Sequence, residues 1–134
     1  SVVISFETLR LEEDRPIYLQ IIRHIQRGIV SGAIQDGDEL PSRRVLSARL
    51  GVNPNTIQKA YRMLEEEGIL SSRAGAKSCV CVDGAQIARL RAQLLEAEAG
   101  PVIQAMKEMG LPRAEAFRLL EALWDKEEEE GVDA

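Results

Sequence analysis

The side chains with the clearest chemistry in this 134-residue chain are positive charges gathered between residues 42 and 77. Arg43, Arg44, Arg49, Lys59, Arg62, Arg73 and Lys77 stand there against Glu65, Glu66 and Glu67. Guanidinium and ammonium groups at that density suit a polyanion, whose oxygens accept charge-assisted hydrogen bonds. Bond-making chemistry has no comparable cluster. No nucleophile stands with a base at a recognisable spacing, no glycine-rich phosphate loop occurs, and the runs Glu65–Glu67 and Glu127–Glu130 read as solvated surface. No enzyme activity and no cofactor are expected. Cys79 and Cys81, two apart in an alternating stretch, point to one strand face. Such neighbours pair badly with each other, and a four-ligand zinc site needs more than two cysteines and the single His24. No metal site is expected unless a second copy of the chain supplies further ligands.

The average composition hides this basic centre. The chain is 45% hydrophobic, 29% charged and only 4% aromatic, with a formal net charge of −5. Residues 1–83 hold 11 basic and 11 acidic side chains, whereas 84–134 hold 6 and 11, so the acidic excess lies entirely in the second part. The length suits one or two small domains and excludes a large multi-domain enzyme. No apolar run of about 18 residues occurs, and the opening SVVISFETLRLEEDR has neither a basic start nor a long apolar stretch. A cytoplasmic protein without a membrane span is expected.

The elements that position the basic residues follow from periodicity and punctuation. Ile17, Leu19, Ile21, Ile22, Ile25, Ile29 and Val30 recur at helical spacing over 16–32, with Pro16 at a tolerated first position and Gly32 as the stop. After the turn-rich AIQDGDELPS, Ser42 caps a short helix over about 42–50 that ends at Gly51. Asn53 caps the next helix, Pro54 opens it, and Ile57, Ala60, Tyr61 and Leu64 mark its buried face before Gly68. Tyr61 belongs to packing, with its hydroxyl at the rim. Two short helices joined by the turn Gly51-Val52-Asn53 are the mark of a helix-turn-helix. The following ILSSRAGAKSCVCVD reads as two short strands around Ala74-Gly75, a wing.

From Gly84 onward three Ala-, Leu- and Glu-rich segments are bounded by Gly or Pro, predicting two or three helices. Their apolar set, Ile87, Leu90, Leu94, Val102, Ile103, Met106, Phe117, Leu120, Leu123 and Trp124, is too small to bury itself. A homodimer interface is the expected use. The expected architecture is mainly α with a small β-hairpin: a winged helix-turn-helix domain over 10–83, a helical dimerisation tail over 84–127, and a disordered acidic end over 128–134.

The run from Arg15 to Leu70, with its motifs ELPSRR, LGVNPNT and KAYRMLEEEGIL and the wing Arg73-Ala74-Gly75, resembles the winged helix-turn-helix domain of GntR-type bacterial regulators. The short tail is similar to that of the YtrA subfamily, which lacks a large effector domain and dimerises through its tail helices. The resemblance implies a recognition helix in the major groove. Asn53 and Asn55 lie at its start, Asn55, Gln58 and Lys59 have donors or acceptors suited to base edges, and Arg62 continues that face. Thr56 suits a phosphate. Ser42, Arg43 and Arg44 sit at a helix N-terminus that favours phosphate oxygens, and the resemblance puts the chief contact on Arg44. Arg73, Gly75 and Lys77 would approach the minor groove. Many relatives are more basic where Gln58 and Ala74 stand here.

The implied function is a homodimeric transcriptional regulator, a repressor on a pseudo-palindromic operator in double-stranded DNA, open to release by a small molecule. Two other readings share the scaffold. One is a protein-interaction module, which has no reason to place Arg44, Lys59, Arg73 and Lys77 on one face. The other is a metal- or thiol-responsive regulator using Cys79 and Cys81.

Overall fold

The computed structural model describes residues 2–72 and 77–133, with side chains up to residue 128. It is mainly helical. The elements are α1 (Ile17–Ser31), α2 (Arg43–Leu50), α3 (Pro54–Glu66), β1 (Leu70–Ser71), β2 (Cys79–Val80), α4 (Gly84–Glu108) and α5 (Arg113–Asp133). The chain forms two compact units, one ending at Leu94 and the other starting at Leu95.

The first unit is built around the apolar stripes foreseen from helical spacing. Ile21, Ile25 and Ile29 of α1, Leu46 of α2, and Ile57, Ala60 and Leu64 of α3 are almost fully buried. Each large aliphatic side chain so removed from water contributes about 1.5–3 kcal/mol before entropy is counted. Gly28 is needed for this packing. A Cβ there would lie 2.3 Å from Cδ1 of buried Ile34.

The turn between α2 and α3 carries its own fastening. Gly51 takes φ +67, a left-handed conformation that L side chains resist. Its N–H and that of Val52 donate to the Ser47 carbonyl, at 2.9 and 3.2 Å. The Ser47 hydroxyl donates to the Val52 carbonyl. Val52 packs against the core and fixes the angle at which α3 leaves the turn.

β1 and β2 pair antiparallel, Leu70 with Val80 and Ser71 with Cys79. A further layer comes from outside the hairpin. Glu39 bridges Cys79 on one side and Val3 on the other. The Ile4 N–H donates to the Glu39 carbonyl at 2.7 Å, and the Glu39 N–H to the Val2 carbonyl at 2.8 Å. Ile4 and Phe6 thereby enter the core. The sequence reading assigns these opening residues no role, although Val3, Ile4, Ser5 and Phe6 alternate outward and inward as a strand should. Asp38 secures the same layer. Its carboxylate accepts from the Gln35 N–H at 2.8 Å and the Val2 N–H at 3.2 Å, and these two donors hold it below the usual carboxylate range.

Of the two or three helices expected after Gly84 the chain forms two, the first two segments being joined at Gly100-Pro101. α4 runs through Pro101 to Glu108. The ring removes one backbone donor and crowds the preceding turn, a cost of about 3 kcal/mol in a helix interior. The surrounding Ala, Leu, Gln and Glu residues have high helix propensity and carry the helix across. It closes at Gly110, φ +76, whose N–H donates to the Lys107 carbonyl. The acidic run expected to lack structure continues α5.

Candidate nucleic-acid interface

Two capped helix N-termini open the two helices of the motif. Ser42 caps α2, its hydroxyl oxygen accepting from the Val45 N–H at 3.1 Å. Asn53 caps α3, its Oδ1 accepting from the Asn55 N–H at 2.8 Å. Both residues therefore satisfy helix ends, which leaves the Ser42 hydroxyl hydrogen and the Asn53 amide hydrogens for an outside acceptor. Tyr61 ties the two helices together. Its buried hydroxyl donates to the Pro41 carbonyl at 2.7 Å, just ahead of the α2 cap. Burial pushes its phenol well above the ordinary range, opposed weakly by the charge of Arg43.

A cleft of about 550 Å³ opens between the start of α2, one side of α3 and the root of the hairpin, lined by Ser42, Arg43, Gln58, Tyr61, Glu65, Ser72 and Lys77 among others. Within it Arg43 Nη1 donates to Gln58 Oε1. The two site residues thus form a pair spanning α2 and α3. Lys77 lies 3.7 Å from a Glu39 carboxylate oxygen, and Arg62 lies 4.0 Å from Glu66 one turn along α3. Such exposed pairs are worth little and yield readily to a phosphate. Arg44 is exposed and has no hydrogen bond or ion pair among the described residues. Asn55 and Lys59 are likewise exposed, whereas Thr56 and Gln58 are half-buried. Arg73 and Gly75 lie outside the described residues.

One neighbour of the site has no counterpart in the sequence reading. Lys59 Nζ stands 3.9 Å from the centroid of the Tyr18 ring, which α1 supplies. The two residues are far apart in the chain, so no local spacing announces the contact.

Two of the apolar residues assigned to a dimer interface need correction. Leu90 and Leu94 are buried in the chain itself, and Ile87 packs against its core. Leu90 and Leu94 belong to the first unit and are not available to a second copy, whereas Ile87 is half-buried. Val102, Ile103, Phe117, Leu120, Leu123 and Trp124 are exposed, and Met106 is half-exposed.

Cys79 is half-buried, Cys81 is exposed, and both are free thiols. Among the described residues no group of three or more His, Cys, Asp and Glu side chains is placed to hold a metal ion. His24 packs its ring on Phe6 at 4.8 Å, and its Nε2 lies 2.9 Å from the Ser5 carbonyl oxygen. None of the described helices is long and apolar enough to cross a membrane.

A three-helix core with a tight Gly-Val-Asn turn, followed by an antiparallel hairpin, defines a winged helix-turn-helix protein. The signature of the bacterial regulatory proteins of the gntR family matches residues 17–80. The chain is 33% identical over 106 residues to the HTH-type transcriptional regulator YhcF of Bacillus subtilis, spanning 79% of this chain and 88% of that protein. It is 45% identical over 60 residues to the HTH-type transcriptional repressor YtrA of the same organism, spanning 45% of this chain and 46% of that one. A solved GntR family transcriptional regulator from Listeria monocytogenes superposes with a TM-score of 0.75 at 31% identity, covering 84% of this chain and 98% of its own. The chain belongs to the GntR family of DNA-binding transcriptional regulators, among its short, YtrA-like members. It is a regulator and not an enzyme.

Proposed function

We propose that this protein is a cytoplasmic, homodimeric repressor that places two winged helix-turn-helix heads on a pseudo-palindromic operator. The observation that carries the reading is that both helices of the motif start at capped N-termini, at Ser42 and Asn53, with Arg44 in the first turn of α2 exposed and unpaired among the described residues. Backbone N–H groups at a helix start and a free guanidinium both favour phosphate oxygens. Asn55, Gln58 and Lys59 then face the base edges, Thr56 and Arg62 take phosphates, and the wing residues Arg73, Gly75 and Lys77 approach the minor groove. Arg43, joined to Gln58, contributes to both sets of contacts.

The tail supplies the second copy. Phe117 and Trp124, seven apart on α5, are 57% and 70% exposed, and Val102, Ile103, Leu120 and Leu123 are exposed with them. Apolar surface of that kind favours association. Two-fold symmetry would set the recognition helices about 34–36 Å apart, in successive major grooves. A small molecule that shifts the tail helices would change that spacing and release the operator. The relative YtrA is itself a repressor.

The test is binding to a labelled fragment of the gene's own upstream region and to an unrelated fragment, as a salt series, with Arg44→Ala alongside. Selective binding that falls about ten-fold or more in the variant, with a salt slope lower by about one, is the expected result. Equal binding to both fragments, unchanged in the variant, would refute it.

A further inference from the structure

We propose that Tyr18 is a positioning residue of the DNA interface, whose ring holds the Lys59 ammonium in place for its contact; the inference rests on Lys59 touching DNA as described above. The Nζ-to-centroid distance of 3.9 Å is well inside the range of about 6 Å over which a ring face attracts a cation. Tyr18 can serve as a fixed platform. It is the second residue of α1, half-buried, and packed against the hydrophobic core. Lys59 itself is exposed on α3.

The holder's lack of charge is what distinguishes this arrangement from its neighbours. Arg62 and Lys77 lie near the carboxylates of Glu66 and Glu39, exposed partners that an incoming phosphate must displace, at little cost. A neutral ring restricts the lysine without cancelling its charge. The ring occupies one side of the ammonium and leaves other N–H donors directed away from it. A lysine stem is among the side chains that lose most rotamer freedom when ordered, so a stem already restrained in the free protein loses less on binding. Tyr18 thus joins α1 to the recognition surface without itself touching DNA.

The experiment uses the full chain and a duplex that the wild-type protein selects from a randomised pool, with affinity read by fluorescence anisotropy for Tyr18→Leu, Tyr18→Phe, Lys59→Ala and the Tyr18→Leu/Lys59→Ala pair. A thermal melt of each variant checks that it is folded. Tyr18→Leu should weaken binding by about two- to five-fold while Tyr18→Phe, which keeps the ring, binds as wild type. In the Lys59→Ala background Tyr18→Leu should cause no further loss. An equal loss in both backgrounds, or a loss in Tyr18→Phe matching that in Tyr18→Leu, would overturn the proposal. If Lys59→Ala alone bound as tightly as wild type, the contact assigned to Lys59 would fall and the proposal with it, while the wider DNA-binding reading would still be judged by Arg44→Ala. Failure to select any duplex would overturn both.

Discussion

Replacing Tyr61 by Phe removes one oxygen from the joint between the two helices of the DNA-binding motif. That oxygen donates at 2.7 Å to the Pro41 carbonyl, and both Pro41 and Tyr61 are buried. Deleting the donor leaves a buried carbonyl unpaired, which costs about 1–3 kcal/mol. For a unit of this size each kcal/mol lowers the melting midpoint by about 4–8 °C, so a fall of several degrees is expected at neutral pH. The pH dependence gives a second, independent reading. Burial raises the folded phenol above its ordinary value of 10.0, so the neutral form is the one the fold favours. Below pH 10 both states keep the proton and its contribution is complete. As pH rises past 10 the unfolded chain releases the proton first, and the wild type loses about 1.4 kcal/mol per pH unit through this residue until the folded phenol also ionises. Tyr61→Phe has no such slope, so the stability difference between the two proteins should shrink steadily above pH 10. Denaturant titrations from pH 7 to 11 measure both effects. Equal stability at neutral pH, or parallel curves through the alkaline range, would refute the assigned role of this hydroxyl.

Three further outcomes are expected. Gly28→Ala should destabilise by about 1–3 kcal/mol in a denaturant titration, because its Cβ would sit 2.3 Å from Ile34 Cδ1 and the buried isoleucine must shift. Leu120→Ser with Trp124→Ser should move the protein toward the monomer in sedimentation equilibrium and weaken operator binding, while the melt of the first unit stays unchanged. Pro101→Ala should raise the stability of α4 by up to about 3 kcal/mol, seen as a later helical transition in circular dichroism, since it restores a backbone donor and removes the ring from a helix interior.

What could be read from the sequence was what depends on neighbours along the chain. Ile21, Ile25 and Ile29 announce α1 by their spacing, and Ile57, Ala60, Tyr61 and Leu64 announce α3 in the same way. Ser42 and Asn53 declare the helix starts because capping needs a short polar side chain at one place. Contacts across the chain leave no such mark. Lys59 meets Tyr18, Arg43 meets Gln58, and Lys77 meets Glu39 only because α1, α2, α3 and the hairpin fold together. Leu90 and Leu94 show the opposite difficulty. Their spacing reveals an apolar stripe but not whether this chain or another copy covers it. Of the two or three helices that the Gly and Pro boundaries allow after Gly84, the chain forms two, because the local penalty of Pro101 yields to the good helix formers around it.

The strip formed by Val2, Val3 and Ile4 has a mechanical consequence. Glu39 is stitched on one side to this strip and on the other to Cys79 at the foot of the hairpin, so the opening residues brace the mounting of the wing. A trimming of residues 2–6 would remove that brace, and Ile4 and Phe6 would leave the core with it. Weakened operator binding would then arise from residues that never approach a base or a phosphate. Comparing proteins with and without residues 2–6 therefore belongs ahead of any ranking of the interface side chains by mutation.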